Sequence, residues 1–193
     1  MPDQRFPPEN AKVKAASESV VEALRTMHNG PPPFKYVEAD GKTPVACYAP
    51  FSYTPEVCHE FFAIGKLSYG PGGPNSRNRE LAILAMCSII DAPFIVYSHR
   101  PIAKKVGLTE EQFEDAIRGK MPNGLSESER AAYRLGIVLT NQTGRMDDET
   151  WAEFSSKLDR LEIVGLIHFV GAYRWVSLLE QVNGDFRDWS AEA

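Results

Sequence analysis

The strongest constraint on the fold is a long apolar stretch from Arg79 to Gly107, which reads RELAILAMCSIIDAPFIVYSHRPIAKKVG. Its apolar residues recur at the three- and four-residue spacing of an α-helix, and Asp91 with its neighbours divides the stretch in two. We expect two core helices, over 77–90 and 92–106, that fold back on each other as an antiparallel hairpin. One carboxylate, Glu80, and one imidazole, His99, lie within the apolar faces of these helices.

The rest of the chain also has helical periodicity, with N-cap residues and glycines or prolines at the expected boundaries. No segment shows the strict alternation of a half-buried strand. The sequence therefore predicts an all-α fold of about eight helices, with the hairpin at its centre. Six further helices are expected, over 10–28, 54–67, 109–118, 126–141, 147–158 and 160–183. Residues 29–53 are predicted to be a long irregular connection that covers a pocket or contacts a neighbouring subunit.

Composition excludes several classes of protein. The chain has 193 residues, 43% hydrophobic and 24% charged, with a net charge of −5, as expected for one globular domain over 1–193. No basic stripe is present, so we expect neither a nucleic-acid partner nor a membrane surface. Three irregularly spaced cysteines and the lack of an N-terminal apolar stretch favour a reducing, cytoplasmic location. Residues 1–9 are expected to be loose.

The carboxylate and the imidazole can work together. In an antiparallel hairpin, Glu80 and His99 come level with each other, because their midpoint falls beside the turn. A buried carboxylate next to an imidazole holds the ring in one tautomer and can share a proton with it, as a general acid/base requires. Pro101, inside the second helix, cannot donate to the carbonyl of Tyr97, so irregular backbone is expected next to His99. The alternative is a core histidine that Glu80 satisfies for packing alone.

The pattern Arg-Glu-Leu-Ala-Ile-Leu, followed by His-Arg-Pro-Ile-Ala-Lys-Lys-Val-Gly-Leu-Thr-Glu-Glu-Gln, resembles the carboxymuconolactone decarboxylase family of the alkyl hydroperoxidase D-like superfamily. The resemblance covers about 45–185. It implies that superfamily's all-α fold, a homo-oligomer (trimer or hexamer), and functional roles for Glu80 and His99. The peroxidase branch also has a Cys-x-x-Cys pair, and those two positions are Ala92 and Ile95 here. Dithiol peroxide reduction is therefore not expected.

What the resemblance implies is a lyase that needs no cofactor and acts on a small carboxylated lactone or related cyclic acid. His99 would be the acid/base, and Glu80 would orient it. An arginine (Arg77, Arg79 or Arg100) would hold the substrate carboxylate through its bidentate guanidinium. Tyr97 and Ile95 would line the substrate pocket, as would Tyr173, although each of these residues could equally belong to the core.

Two other interpretations remain open. The chain could be a non-catalytic small-molecule binding or assembly protein that has kept the fold. A metal site would need histidines and carboxylates at regular spacing, and the sequence has only one Glu-x-x-His, at Glu56 and His59. Glu80, His99 and His168 could still meet in space, but we expect no metal. His168 is expected to be a core or interface residue.

Overall fold

The computed structural model describes residues 4–185 and 187–192, so residues 1–3 of the segment expected to be loose lie outside the described part. Within the described residues the chain has no strand, only one isolated bridge between Val37 and Pro44, and the all-α prediction is confirmed. Eight α-helices form: α1 Ala11–His28, α2 Pro55–Ser68, α3 Ser76–Cys87, α4 Pro93–Lys105, α5 Glu110–Ile117, α6 Glu127–Asn141, α7 Asp148–Ser155 and α8 Arg160–Asn183.

Contacts between residues group the chain into two compact units. The first comprises 1–67, 92–98 and 175–193, and the second comprises 68–91 and 99–174. Helix α4 contributes its first half to the first unit and its second half to the second unit. The two units are described separately below, and the prediction of one domain over 1–193 stays a prediction.

The helix boundaries follow from capping chemistry. The side chains of Thr109 and Ser126 accept hydrogen bonds from backbone N–H groups at the starts of α5 and α6, and each is part of a complete capping box. Asp147 caps α7 in the same way. Helix α3 differs from the prediction at both ends. It begins at Ser76 with Asn75 as its N-cap, one residue before the predicted start, and it ends at Cys87, three residues before the predicted end.

The first unit contains α1 and α2. The predicted irregular connection 29–53 proves to be helical in its last third, where Ala46–Tyr53 forms a 3₁₀ helix whose first seven residues are all buried. That helix packs on α1, and the hydroxyl of Ser17 donates to the hydroxyl of Ser52. The segment before α1 contacts the end of α8 in this unit, because the amide of Arg5 donates to the carbonyl of Asn183 at 2.9 Å.

The second unit is built around α3. Every residue of α3 from Asn78 to Met86 is buried, and the helix packs against α5 and α6. A Cβ on Gly136 of α6 would lie 2.6 Å from the carbonyl oxygen of Ala82, so only glycine allows this approach of the two helices. The small side chains of Ala82, Ala131 and Ala132 continue into an apolar core with residues of α7 and α8.

Helix α8 is less buried than the sequence predicts. Its apolar stretch from Ile163 to Leu179 indicates a core helix, but only 33% of its most apolar window is buried. Six large apolar side chains along the helix are exposed: Leu161, Val164, Ile167, Trp175, Leu178 and Val182. By length and composition alone, α8 also meets the criterion for a membrane-spanning helix, which is weak evidence for such a role.

Candidate functional site

Glu80 and His99 form a buried hydrogen-bonded pair in the second unit. Nδ1 of His99 lies 2.6 Å from Oε1 of Glu80, and the two side chains are 2% and 0% exposed. Since a carboxylate only accepts hydrogen bonds, Nδ1 carries the proton and the tautomer of the ring is fixed. Within the described residues Nε2 of His99 has no hydrogen-bond partner. The predicted pairing is thus confirmed, and it leaves one ring nitrogen available for proton transfer.

Two tyrosines stand next to this pair. The ring of Tyr173, on α8, meets the ring of His99 edge to face, with 4.8 Å between the ring centroids. The hydroxyl oxygen of Tyr173 lies 3.0 Å from that of Tyr69, which belongs to the loop between α2 and α3. Both tyrosines are only partly buried, whereas Glu80 and His99 are almost completely so. Of these two tyrosines, Tyr173 contacts the buried imidazole directly.

Arg79 carries a buried positive charge between two aromatic rings. Its guanidinium carbon lies 4.3 Å from the ring centroid of Tyr69 and 5.3 Å from that of Phe169, and the residue is 7% exposed. Its Nε has no hydrogen-bond partner, and no ion pair involves Arg79 within the described residues. A buried guanidinium without a carboxylate is costly unless a ligand supplies one. This arrangement suits the predicted role in holding a substrate carboxylate.

The other arginines that we considered already have partners. Arg100 forms ion pairs with Glu110 and Glu114, and its guanidinium lies over the ring of Phe113 at 4.4 Å. Arg77 donates from Nε to Glu129 at 2.5 Å. Both positive charges are therefore neutralised within the protein. Of the three candidates, only Arg79 combines deep burial with the absence of an acidic partner in the described chain.

Tyr97 and Ile95, assigned to the substrate pocket from the sequence, belong to the first unit. The hydroxyl of Tyr97 accepts a hydrogen bond from the amide of Lys35 at 2.9 Å, and its ring stacks on Trp189 with 5.4 Å between centroids. Ile95 is 2% exposed and belongs to the core of that unit. Their contacts within this unit are those of packing residues, and their binding roles stay predictions.

The cysteines are free thiols that do not form a pair. Burial raises the pKa of Cys58 to about 12. Burial, with a smaller effect of Glu180, also raises the pKa of Cys47 well above its usual value. Both remain neutral thiols at physiological pH and are poor nucleophiles. The part of the chain that the structure describes contains no group of three His, Cys, Asp or Glu side chains that could hold a metal ion.

Sequence reasoning missed Tyr69 and Phe169. Phe169 and Tyr173 are four residues apart on α8, so helical spacing could have placed them on one face. Tyr69 gave no such signal, because it lies in a loop rich in glycine and proline whose path the sequence does not determine. Its contacts with Arg79 and Tyr173 join residues from three separate parts of the chain.

The described chain is thus all-α, and its second unit holds a buried carboxylate–imidazole pair. The family model described as "Carboxymuconolactone decarboxylase family" matches residues 55–136, a segment that includes both Glu80 and His99. This segment belongs to that family, which is itself all-α, and the resemblance inferred from the motifs is confirmed. No curated protein and no solved structure gives a significant match to the chain.

Proposed function

We propose that this chain is a cofactor-independent acid/base lyase acting on a small carboxylated lactone or related cyclic acid. The observation that carries the proposal is the 2.6 Å hydrogen bond between Glu80 and His99, which leaves Nε2 as the reacting nitrogen. The family match over 55–136 supports decarboxylase-like chemistry in the same segment. Arg79 supports a substrate that carries a carboxylate.

The proposed reaction balances without a cofactor. The bond between the ring carbon and the carboxylate breaks, carbon dioxide leaves, and the electron pair moves through the conjugated ring to the lactone carbonyl. His99, protonated at both nitrogens, then delivers the Nε2 proton to carbon, and solvent restores that proton. Glu80 stabilises the protonated ring throughout, because its carboxylate accepts the Nδ1–H bond. For the substrate to reach Nε2, the partly exposed Tyr69 and Tyr173 must separate from each other.

The test uses carboxymuconolactone, with release of carbon dioxide and conversion followed by NMR, and a saturated γ-lactone carboxylic acid as a compound that should not react because its ring is not conjugated. The His99→Gln variant keeps an N–H group for Glu80 but cannot transfer a proton, so we expect the rate to fall by about 10²- to 10⁴-fold. His59→Gln is the matched control, because His59 is exposed and bonds only to Ser19. Equal rates for wild type and a folded His99→Gln variant would remove His99 from the mechanism.

A second candidate is a non-catalytic protein of the same fold that binds a small organic acid. The near-complete burial of Glu80 and His99 favours it, since the pair is sealed from solvent when no substrate is bound. Binding of these acids by calorimetry, without turnover between about pH 5 and pH 9, would support this candidate over the lyase. Residual peroxidase activity is disfavoured, because Ala92 and Ile95 stand at the two cysteine positions.

We also propose that the protein forms a homo-oligomer. The exposed apolar side chains along α8 are three, four or eight residues apart, so they lie along one side of the helix. A stripe of this kind on a 24-residue helix is typical of a helix that packs against another chain.

A further inference from the structure

The hydrogen-bonded hydroxyls of Tyr69 and Tyr173 have no role in the mechanism proposed above. Their oxygens lie 3.0 Å apart, and either hydroxyl can donate the hydrogen bond between them. The ring of Tyr173 contacts the ring of His99 edge to face, so one tyrosine of the pair lies next to the imidazole. Tyr173 lies on α8 and Tyr69 lies in the loop before α3, so the two hydroxyls come together only when the second unit is folded.

The charges around the pair favour hydroxyls that donate hydrogen bonds. Burial and the negative charge of Glu80 raise the pKa of Tyr69, while Arg79 opposes this rise. Tyr69 therefore remains a neutral O–H donor at physiological pH. The guanidinium of Arg79, 4.3 Å from the centre of the Tyr69 ring, adds a positive charge next to that donor. An anionic oxygen that approaches these hydroxyls meets donors backed by a cation, as in an oxyanion hole.

We propose that Tyr69 and Tyr173 form the oxyanion site of this protein, which binds the enolate oxygen of a lactone or related cyclic acid. The inference rests on the proposed function. When carbon dioxide leaves, the negative charge moves to the lactone carbonyl oxygen, and the two O–H groups hydrogen-bond that oxygen. His99 then protonates carbon, the enolate collapses to the carbonyl, and the two hydroxyls return to each other. No proton leaves either tyrosine during the cycle.

The first experiment measures binding without turnover. Tetronic acid is a five-membered lactone that is an enolate anion near neutral pH, and its neutral analogue is γ-butyrolactone. We expect calorimetry to show that the wild-type protein binds tetronate more tightly than γ-butyrolactone. Tyr173→Phe and Tyr69→Phe should each weaken tetronate binding by about 10- to 100-fold, because each removes a hydrogen bond to a charged group. Binding of γ-butyrolactone should change little.

Tyr133→Phe is the matched control. Tyr133 is a buried tyrosine of the same unit, and its hydroxyl donates to the carbonyl of Ala116 at 2.8 Å. Its loss should leave tetronate binding unchanged, and circular dichroism melts of all three variants establish folding. If a tyrosine variant fails to fold, the other variant of the pair carries the test. Unchanged tetronate affinity in a folded Tyr69→Phe or Tyr173→Phe variant overturns the proposal, as does equal weakening in Tyr133→Phe.

The second experiment separates this inference from the proposed function. With a carboxylated lactone that turns over, both Phe variants should lower kcat by about 10²- to 10³-fold, the usual effect of losing one oxyanion donor, with little change in KM. Turnover that needs His99 but is insensitive to both tyrosines would reject the oxyanion site and keep the lyase. Tyrosine-dependent binding of tetronate without any turnover would keep the site and reject the lyase.

Discussion

The burial of His99 and Glu80 costs free energy, because the charged form of each side chain loses its hydration inside the protein. Their 2.6 Å hydrogen bond offsets that cost only while both partners are present. Removal of one partner leaves a group that the surrounding apolar side chains cannot satisfy. Oε2 of Glu80 already lacks a hydrogen-bond partner within the described residues, so a second lost bond would leave the whole carboxylate unsatisfied.

We therefore predict that His99→Ala lowers the free energy of unfolding at pH 7 by about 3–5 kcal/mol. The double variant Glu80→Leu/His99→Leu should lose clearly less, because apolar side chains of similar size replace both polar groups. Urea denaturation measures both values and those of the single variants Glu80→Leu and His99→Leu. A double variant as unstable as the sum of the two single variants would show that the pair is not coupled.

The buried thiols predict a loss of stability in alkaline solution. The pKa of Cys58 is about 12 in the folded chain, against an ordinary value of 9.0, so the folded form retains a proton that the unfolded form releases. The stability that this thiol contributes is complete below about pH 9 and is lost as the pH rises towards 12. We expect up to about 1.4 kcal/mol less per pH unit from this thiol.

Urea denaturation at several pH values above 9 would measure that slope, and the Cys58→Val variant should reduce it. Identical slopes for the variant and the wild type would contradict the assignment.

The sequence was sufficient to predict the pairing of Glu80 with His99, but not the contacts of the residues around them. Glu80 and His99 could be placed because both lie on regular helices, where a spacing of 19 residues and one tight turn determine which side chains come level. Arg79 could be named as a carboxylate ligand by its chemistry alone. Only the structure distinguishes Arg79 from Arg100. It shows that Glu110 and Glu114 neutralise Arg100, and the helical spacing of the sequence does not predict these ion pairs.

At the scale of the helices, capping boxes and turn residues were good predictors, because they act within four residues of the chain. The 3₁₀ helix Ala46–Tyr53 was missed, since its residues combine an internal proline with nearly complete burial and show no amphipathic pattern. The close approach of α3 and α6 was also beyond sequence reasoning. Gly136 would ordinarily weaken a helix, and only the position of Ala82 explains why it is there.

Gly136→Ala should destabilise the protein by about 1–3 kcal/mol, because the added methyl group would lie 2.6 Å from a backbone oxygen and 2.8 Å from the Cα of Ala82. Gly171→Ala is the matched control in α8, where no heavy atom lies within 4 Å of the added carbon. The control should be neutral or stabilising by about 0.5–1 kcal/mol, since alanine is the better helix former. Thermal melts compare the two variants, and equal effects would contradict the close contact.

At the scale of the whole molecule, the exposed apolar surface of α8 bears on whether the protein is a monomer or an oligomer. A mainly apolar 24-residue helix would be expected inside a core, yet two thirds of its most apolar window is not buried. The sequence predicts a helix over 160–183, but a hydrophobic pattern cannot tell burial within one chain from burial between chains. This ambiguity is inherent in hydrophobic patterns.

Ile167→Glu should therefore shift the protein towards monomers, because it places a charge in the apolar stripe of α8. Ile89→Glu is the control, since Ile89 is 42% exposed and Ile167 is 45% exposed, but Ile89 lies outside α8. Light scattering coupled to size-exclusion chromatography measures the mass of each variant. A wild-type protein that is monomeric at micromolar concentration would refute the assembly through α8.

The burial of α3 from Asn78 to Met86 has a consequence for backbone dynamics. Amides in such a helix exchange with deuterium only when the whole second unit opens, whereas the loop around Tyr69 can exchange through local fluctuations. Glu80 would then lie on one of the slowest-exchanging segments, while Tyr69, whose ring the Arg79 guanidinium contacts, would lie on one of the fastest. A ligand that closes over His99 should slow exchange in the loop and leave α3 unchanged, and its footprint could be read without knowing its identity.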